Sequence, residues 1–139
     1  MTKILMIESQ LQICQRFMKC LETQGFEVIL AENSVVGVRK IQSELPDLII
    51  SDLIMSESED CNLNFLKALR EHPSTAIIPL IVVINQYTQA EIRKVMEMGA
   101  DDCITKFCNE EQLLSAIAVR LERFTFLQQC CATQLQEEI

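Results

Sequence analysis

The feature that most constrains the fold is a short apolar run that ends on a carboxylate. Residues 46–55 read PDLIISDLIM, so three aliphatic residues lead into Ser51 and Asp52. A strand that is buried on both faces has a continuous apolar sequence, and such strands usually belong to parallel sheets with helices on both sides. In open sheets of this kind, ligands collect outside the carboxyl ends of the strands. The run therefore predicts a central strand that places Asp52 at the functional edge of a parallel sheet.

The rest of the chain alternates apolar runs with segments that have helical spacing. Besides the central run, the predicted strands cover residues 3–7, 26–30, 77–84 and 102–105. Apolar residues three and four positions apart follow each run, which indicates an amphipathic helix. Ser9, Asn33 or Ser34, and Thr88 precede three of these helices and are predicted N-caps. Five strand–helix units with short connections predict a doubly wound α/β domain.

The composition of the chain narrows the classes of protein to which it can belong and the kinds of site that it can contain. The chain has 139 residues with 49% hydrophobic content, which fits one domain, and its net charge of -8 argues against a nucleic-acid surface. Seven cysteines without a CxxC pair, and a single histidine, His72, argue against zinc and favour a reducing cytoplasm. No charged-then-apolar leader opens the chain, and no apolar run reaches the roughly 18 residues that a membrane span needs. We therefore expect a cytoplasmic domain without membrane contact.

Three charged residues end predicted strands. Glu8, Asp52 and Lys106 each follow an apolar run, and in a sheet of order 2-1-3-4-5 these strand ends converge near the switch point. Two carboxylates suit a hard cation such as Mg²⁺. The lysine can pair with a carboxylate or with a phosphoryl group on it, and carboxylates themselves form aspartyl-phosphates.

These residues, in this order and spacing, give the chain a resemblance to the receiver domain of the two-component response regulator family over residues 3–123. Shorter matches to the family are Pro46-Asp47, LKALR at 66–70, IPLIV at 78–82 and MGADD at 98–102. The resemblance implies a flavodoxin-like five-stranded parallel sheet of order 2-1-3-4-5 with five helices. It implies that Asp52 accepts a phosphoryl group from a histidine kinase or a phosphotransfer protein, with Lys106 as the charge partner. It also implies Mg²⁺ held by Glu8, Asp52 and the backbone carbonyl of Ile54.

The chain departs from the family pattern at four positions. Ser9 replaces the second of two adjacent acids, and Ile84 replaces a Thr or Ser whose hydroxyl follows the phosphoryl oxygen. Cys103 stands where the family has a switch aromatic, and Phe107 stands where it has a proline after the lysine. The loop after Asp52 is also about two residues longer than usual. These losses predict an atypical, degenerate receiver in which Mg²⁺ binding is weak or absent.

Helical spacing continues past the expected end of the domain. We predict a receiver over residues 1–123 and a C-terminal helical extension or linker over residues 124–139. Phe124 and Leu127 would give an extended last helix an apolar patch that needs a partner. Either this helix pairs with another chain, as in a homodimer, or it begins a linker to an output domain, and the patch favours pairing.

Three functions compete on the sequence alone. The first is a phosphorylated receiver in a phosphorelay, which meets a kinase, a phosphotransfer protein or a downstream signalling protein. The second is a pseudo-receiver that acts without phosphate as an interaction or dimerisation module. The third is a small flavodoxin-like enzyme, which is disfavoured because the chain lacks a Gly-rich phosphate loop, a GxSxG motif and a Ser-His or Cys-His pair. We therefore expect no enzyme.

Overall fold

A computed structural model gives the fold, and it describes residues 1–52, 59–85 and 87–138. In these ranges the chain alternates five strands with five helices. The strands are β1 (Lys3–Ile7), β2 (Glu27–Ala31), β3 (Leu48–Ser51), β4 (Leu80–Ile84) and β5 (Asp102–Thr105). The helices are α1 (Leu11–Thr23), α2 (Ser34–Glu44), α3 (Glu59–Glu71), α4 (Gln89–Glu97) and α5 (Glu110–Glu138).

The five strands form one parallel sheet in the order β2-β1-β3-β4-β5. In the register of the sheet, Ile7 of β1 pairs with Ser51 of β3, and Ile84 of β4 pairs with Thr105 of β5. These two pairs of strands end level, whereas β4 continues two residues past the end of β3, where Ser51 pairs with Val82. The residues that follow the strands still meet at one edge of the sheet. This arrangement confirms the predicted doubly wound, flavodoxin-like fold and its strand order.

The central strand is buried from both sides, as its continuous apolar sequence predicts. Ile49 packs into the core beneath α2, α3 and α4, whereas Leu48 and Ile50 pack into the core beneath α1 and α5. Phe65 lies in the first core and Phe17 in the second, and both are almost fully buried. Burial of one such side chain contributes about 1.5–3 kcal/mol, so β3 is anchored by both layers at once.

Two of the segments that carry the family resemblance stabilise the amino edge of the sheet, opposite Asp52. Asp101 Oδ2 accepts hydrogen bonds from the Leu80 N–H at 2.7 Å and from Arg70 Nη2 at 3.1 Å. Asp47 Oδ2 accepts from the Lys3 N–H at 2.8 Å, and the Asp47 N–H donates to the Lys3 carbonyl at the same distance. These residues therefore fix where β1, β3 and β4 begin and take no part in the site.

The predicted helix caps are partly confirmed. The Asn33 side chain accepts from the Val36 N–H, and the Thr88 side chain accepts from the Glu91 N–H. The Ser9 prediction is wrong: the N-cap residue of α1 is Gln10, and its own side chain makes no capping hydrogen bond.

The last helix is a single element of 29 residues, from Glu110 to Glu138. Its start is fixed by two reciprocal hydrogen bonds between Asn109 and Gln112, each side chain accepting from the other's N–H. The helix passes through residue 123 without a break, which confirms an extended last helix, while the division into a receiver and an extension stays a prediction. No helix in the described ranges is long and apolar enough to cross a membrane.

The end of α2 offers a test of backbone strain. Leu45 closes this helix with φ = 47°, the left-handed conformation that disfavours residues with a Cβ, and its side chain is 52% exposed. We expect Leu45→Gly to raise the free energy of unfolding by about 0.5–1 kcal/mol, measured by urea unfolding. Leu45→Ala keeps the strained Cβ and is the matched control. A glycine variant no more stable than the alanine variant would contradict this account.

Candidate functional site

The carboxyl edge of the sheet brings together the three charged residues that the sequence places at strand ends. Glu8 directly follows β1, Asp52 follows β3 and Lys106 follows β5. The Asp52 N–H donates to the Ile7 carbonyl at 3.1 Å, and the Lys106 N–H donates to the Ile84 carbonyl at 3.1 Å. The sheet hydrogen bonding thus continues past the strand ends and fixes the backbone of these residues.

The three side chains are buried, and the two carboxyl groups interact directly. Glu8 is 5% exposed, Asp52 8% and Lys106 6%. Burial raises the pKa of Asp52, and a hydrogen bond with the Glu8 carboxyl and the Glu8 charge raise it further, to about 8. The Lys106 ammonium and the Ser9 backbone N–H act in the opposite direction without offsetting these effects. The site is therefore a carboxyl pair that holds one proton near neutral pH.

One oxygen of this pair is unsatisfied. Asp52 Oδ2 is buried and has no hydrogen-bond partner among the described residues. A buried carboxylate oxygen without a partner costs free energy, on the order of 1–3 kcal/mol or more. It marks a place where a cation or an additional group would be bound favourably.

The Lys106 ammonium binds neither carboxylate. It donates to Gln10 Oε1 at 3.0 Å, and the Gln10 N–H in turn donates to Glu8 Oε1 at 3.0 Å. Within the described part of the chain, no carboxylate oxygen lies within 4.0 Å of the ammonium. The charge of Lys106 still acts on Asp52, so the two groups are near neighbours without a direct contact.

Helix α1 also holds the backbone around Lys106. The Arg16 guanidinium donates to the Lys106 carbonyl through Nη2 and to the Cys108 carbonyl through Nη1, the latter at 3.2 Å. Sequence reasoning missed Gln10 and Arg16. The only signal for them was a polar side chain at the start of α1 and a cation six residues later, a pattern that solvated helices also show.

The donor set fits Mg²⁺ in chemical type but is short of ligands. Glu8 and Asp52 supply carboxylate oxygens, the ligands that this hard cation prefers. Ser9 brings no charge, and its side chain is exposed. The predicted carbonyl ligand, Ile54, lies outside the described residues. The ranges that the structure describes hold no group of three acidic, histidine or cysteine residues arranged for a metal.

The two positions predicted as degenerate switch residues lie in the apolar core next to the site. Ile84 ends β4, and Cys103 lies on β5; both are buried in the core beneath α2, α3 and α4. Burial, and then the Asp102 charge, raise the pKa of the Cys103 thiol, which keeps it protonated. Phe107, after the lysine, is 81% exposed.

Comparison with known proteins identifies the family. The response regulator receiver domain model matches residues 4–118. The chain belongs to the response regulator receiver family. Protein PilH of Pseudomonas aeruginosa is 30% identical over 120 residues, which are 84% of this receiver and 95% of PilH. The phosphate regulon regulator PhoB of Klebsiella pneumoniae is 28% identical over 88% of this receiver and 53% of PhoB.

A solved structure agrees with the fold. The signal receiver domain of a signal transduction histidine kinase from Syntrophus aciditrophicus is 29% identical, with a TM-score of 0.75 over 88% of this receiver and 91% of that chain. The chain spans about half the length of the transcriptional regulators it matches. Receiver domains are signalling modules that interact with histidine kinases or phosphotransfer proteins, so this one is a two-component signalling domain.

Proposed function

We propose that this receiver accepts a phosphoryl group on Asp52, with a weakened metal site and an altered response to phosphorylation. The observation that carries the proposal is the buried pair of Asp52 and Glu8 beside Lys106 at the carboxyl edge of the sheet. Among the described residues, the buried Asp52 Oδ2 has no hydrogen-bond partner, so none of them competes for this oxygen as a nucleophile. Lys106 supplies a positive charge next to the place where the negative charge of a phosphoryl group would develop.

The transfer itself needs an ionised Asp52. An oxygen of the carboxylate attacks the phosphorus of a phosphohistidine; the O–P bond forms, the P–N bond breaks, and the imidazole nitrogen keeps the electron pair and takes a proton from water. Because the carboxyl pair holds a proton near neutral pH, that proton must leave first. Mg²⁺ bound by Glu8 and Asp52 would supply charge that favours the ionised pair and offsets the charge of the phosphoryl oxygens. Lys106 would stabilise the same oxygens.

The response to phosphorylation is the part that we propose to be degenerate. A hydroxyl on β4 could follow a phosphoryl oxygen, but Ile84 has no donor. Cys103 is small and buried in the core, so it does not provide an aromatic ring that moves between an exposed and a buried position. Phosphorylation would therefore shift the surface of this receiver less than the family pattern implies.

The proposal is tested by incubating the protein with acetyl phosphate and Mg²⁺ and measuring intact mass. We expect one phosphoryl adduct in the wild type and none in Asp52→Asn, because an amide is not a nucleophile toward phosphorus. The matched control is Glu32→Gln, since Glu32 is an exposed carboxyl just after β2, at the same edge of the sheet. An adduct that survives Asp52→Asn, or no adduct even at high Mg²⁺, would contradict the proposal.

A second candidate is a pseudo-receiver that works through partner binding without phosphate. It is favoured by exposed apolar side chains along α5, namely Val119, Phe126 and Leu127. Such residues support pairing of α5 with a second copy or with a signalling partner. If the wild type stays unmodified and sedimentation shows a dimer that Phe126→Ser disrupts, this function replaces the first.

The proposed setting is the cytoplasm, and the proposed partners are a histidine kinase or phosphotransfer protein upstream and a signalling protein downstream. Cysteines 14, 20, 103, 108 and 130 are free thiols, which suits a reducing compartment. We propose no nucleic-acid contact by this domain, given its net charge of -8. We also propose that it is a signalling module with no enzymatic turnover of its own.

A further inference from the structure

Helix α1 holds the side chain of Lys106 through a residue that phosphoryl transfer does not require. The ammonium donates to Gln10 Oε1 at 3.0 Å, a contact between residues that lie 96 positions apart. Lys106 is buried, whereas Gln10 is exposed, so the bond lies between the buried site and the surface. The charges of Lys106 and Asp52 interact, yet the hydrogen bond of the ammonium goes to an amide oxygen.

The backbone of Gln10 is fixed in place. Its N–H donates to Glu8 Oε1 at 3.0 Å, so this one residue links the Glu8 carboxylate to the lysine. Its carbonyl accepts from the Cys14 N–H at 3.1 Å, which begins the hydrogen bonding of α1. Arg16, on the same helix, binds the Lys106 carbonyl. Helix α1 therefore anchors both the backbone and the side chain of the lysine.

We propose that Gln10 competes for the Lys106 ammonium: its side-chain amide oxygen holds the ammonium off the carboxyl pair and releases it to the phosphoryl group once that group is bound. The inference rests on the proposed function, because it describes which group the ammonium of that lysine binds before and after phosphorylation. An amide oxygen is a weaker acceptor for an ammonium than an anionic oxygen, since the anionic oxygen adds the attraction between two opposite charges. The lysine would thus leave Gln10 only when a phosphoryl oxygen offers the stronger bond.

Two substitutions at this position should change the phosphorylation rate in opposite directions. Gln10→Leu removes the competing acceptor, so we expect acetyl phosphate to modify Asp52 faster at saturating Mg²⁺, by about threefold to tenfold. Gln10→Glu offers a carboxylate that holds the ammonium more strongly, so we expect a slower reaction by a similar factor. Gln12→Leu makes the same change at an exposed position of α1 and should leave the rate within about twofold of the wild type. A residue with only a structural role would slow the reaction in both variants.

A spectroscopic measurement tests the contact without any phosphorylation. The ¹⁵N resonance of the Lys106 ammonium, assigned by its loss in Lys106→Met, should shift in Gln10→Leu and stay unchanged in Gln12→Leu. Addition of Mg²⁺ and beryllofluoride to the wild type should then move the side-chain amide resonances of Gln10. An ammonium ¹⁵N resonance that does not shift in Gln10→Leu would overturn the inference.

The two proposals fail in distinguishable ways. Normal phosphorylation with equal rates in Gln10→Leu, Gln10→Glu and the wild type overturns the role of Gln10 and leaves the role of Asp52 intact. If the wild type is never modified, the proposed function is wrong, and so is the release of the ammonium to a phosphoryl group. The ammonium resonance then still decides whether Gln10 binds Lys106.

Discussion

Replacement of Ser9 by aspartate is expected to tighten Mg²⁺ binding at least tenfold. The Ser9 backbone N–H acts on Asp52, and the residue directly follows Glu8, so a carboxylate there would join the existing pair. Two opposite charges about 4 Å apart near a protein surface interact by roughly 4 kcal/mol for unit charges, and tenfold in affinity needs only about 1.4 kcal/mol. The free-energy cost of desolvating the new carboxylate offsets part of this electrostatic attraction.

The affinity is measured by calorimetric titration with Mg²⁺ at fixed pH and ionic strength. Ser9→Asn is the matched control, because it has nearly the same shape as the aspartate variant and no charge. Without metal, Ser9→Asp should unfold at a lower urea concentration than Ser9→Asn, since a third carboxyl crowds the pair. Saturating Mg²⁺ should reverse that order by preferential binding to the folded state. Equal Mg²⁺ affinities for the two variants would show that position 9 does not face the metal.

The sheet and the three charged residues at strand ends were predictable because burial leaves a direct mark on sequence. A strand covered on both faces is largely apolar, and the first charged residue after it shows where the sheet ends. This reasoning places Glu8, Asp52 and Lys106 at one edge once the strand order is known. The strand order itself came from a common arrangement of doubly wound sheets and from the family resemblance, not from residue patterns.

The contacts of helix α1 were not predictable from the sequence, for a physical reason. The hydrogen bonds of Gln10 and Arg16 to the region around Lys106 join residues at least 90 positions apart, and nothing local in the sequence reports such distances. The prediction of Ser9 as a helix cap was wrong because nearby carboxylates bind the backbone at the start of α1. Glu8 accepts the Gln10 N–H, while the Ser9 N–H is directed toward Asp52. The strand-end carboxylates thus bind the N–H groups of Ser9 and Gln10.

The family segments around Asp47 and Asp101 stabilise the fold and lie away from the site. They accompany the receiver pattern in the sequence, and each carboxylate binds backbone N–H groups at the amino edge of the sheet. Their role is to set the start of β1 and β4. A motif shared by a family thus combines residues that hold the fold with residues that carry the chemistry, and only geometry separates them.

Removal of the Asp52 charge is expected to stabilise the metal-free protein, by an amount that grows with pH. The folded protein holds a proton on this carboxyl up to a pKa of about 8, whereas the ordinary pKa of an aspartate is about 3.8. Between these two values the folded state binds more protons than the unfolded state, so the Asp52 contribution to stability is lost as the pH rises. The slope for one proton is at most about 1.4 kcal/mol per pH unit.

Asp52→Asn replaces the protonated acid by a neutral group of the same shape, so it removes this pH dependence. We expect the variant to exceed the wild type in free energy of unfolding by up to about 6 kcal/mol at pH 8, with the gap opening from about pH 4 and no longer widening above about pH 8. Urea unfolding at several pH values in the presence of a chelator measures it, with Glu32→Gln as the exposed-carboxyl control. A gap that stays constant across this range would mean that the Asp52–Glu8 pair is ionised in the folded state. Lys106 or solvent would then have to stabilise the adjacent charges of Asp52 and Glu8.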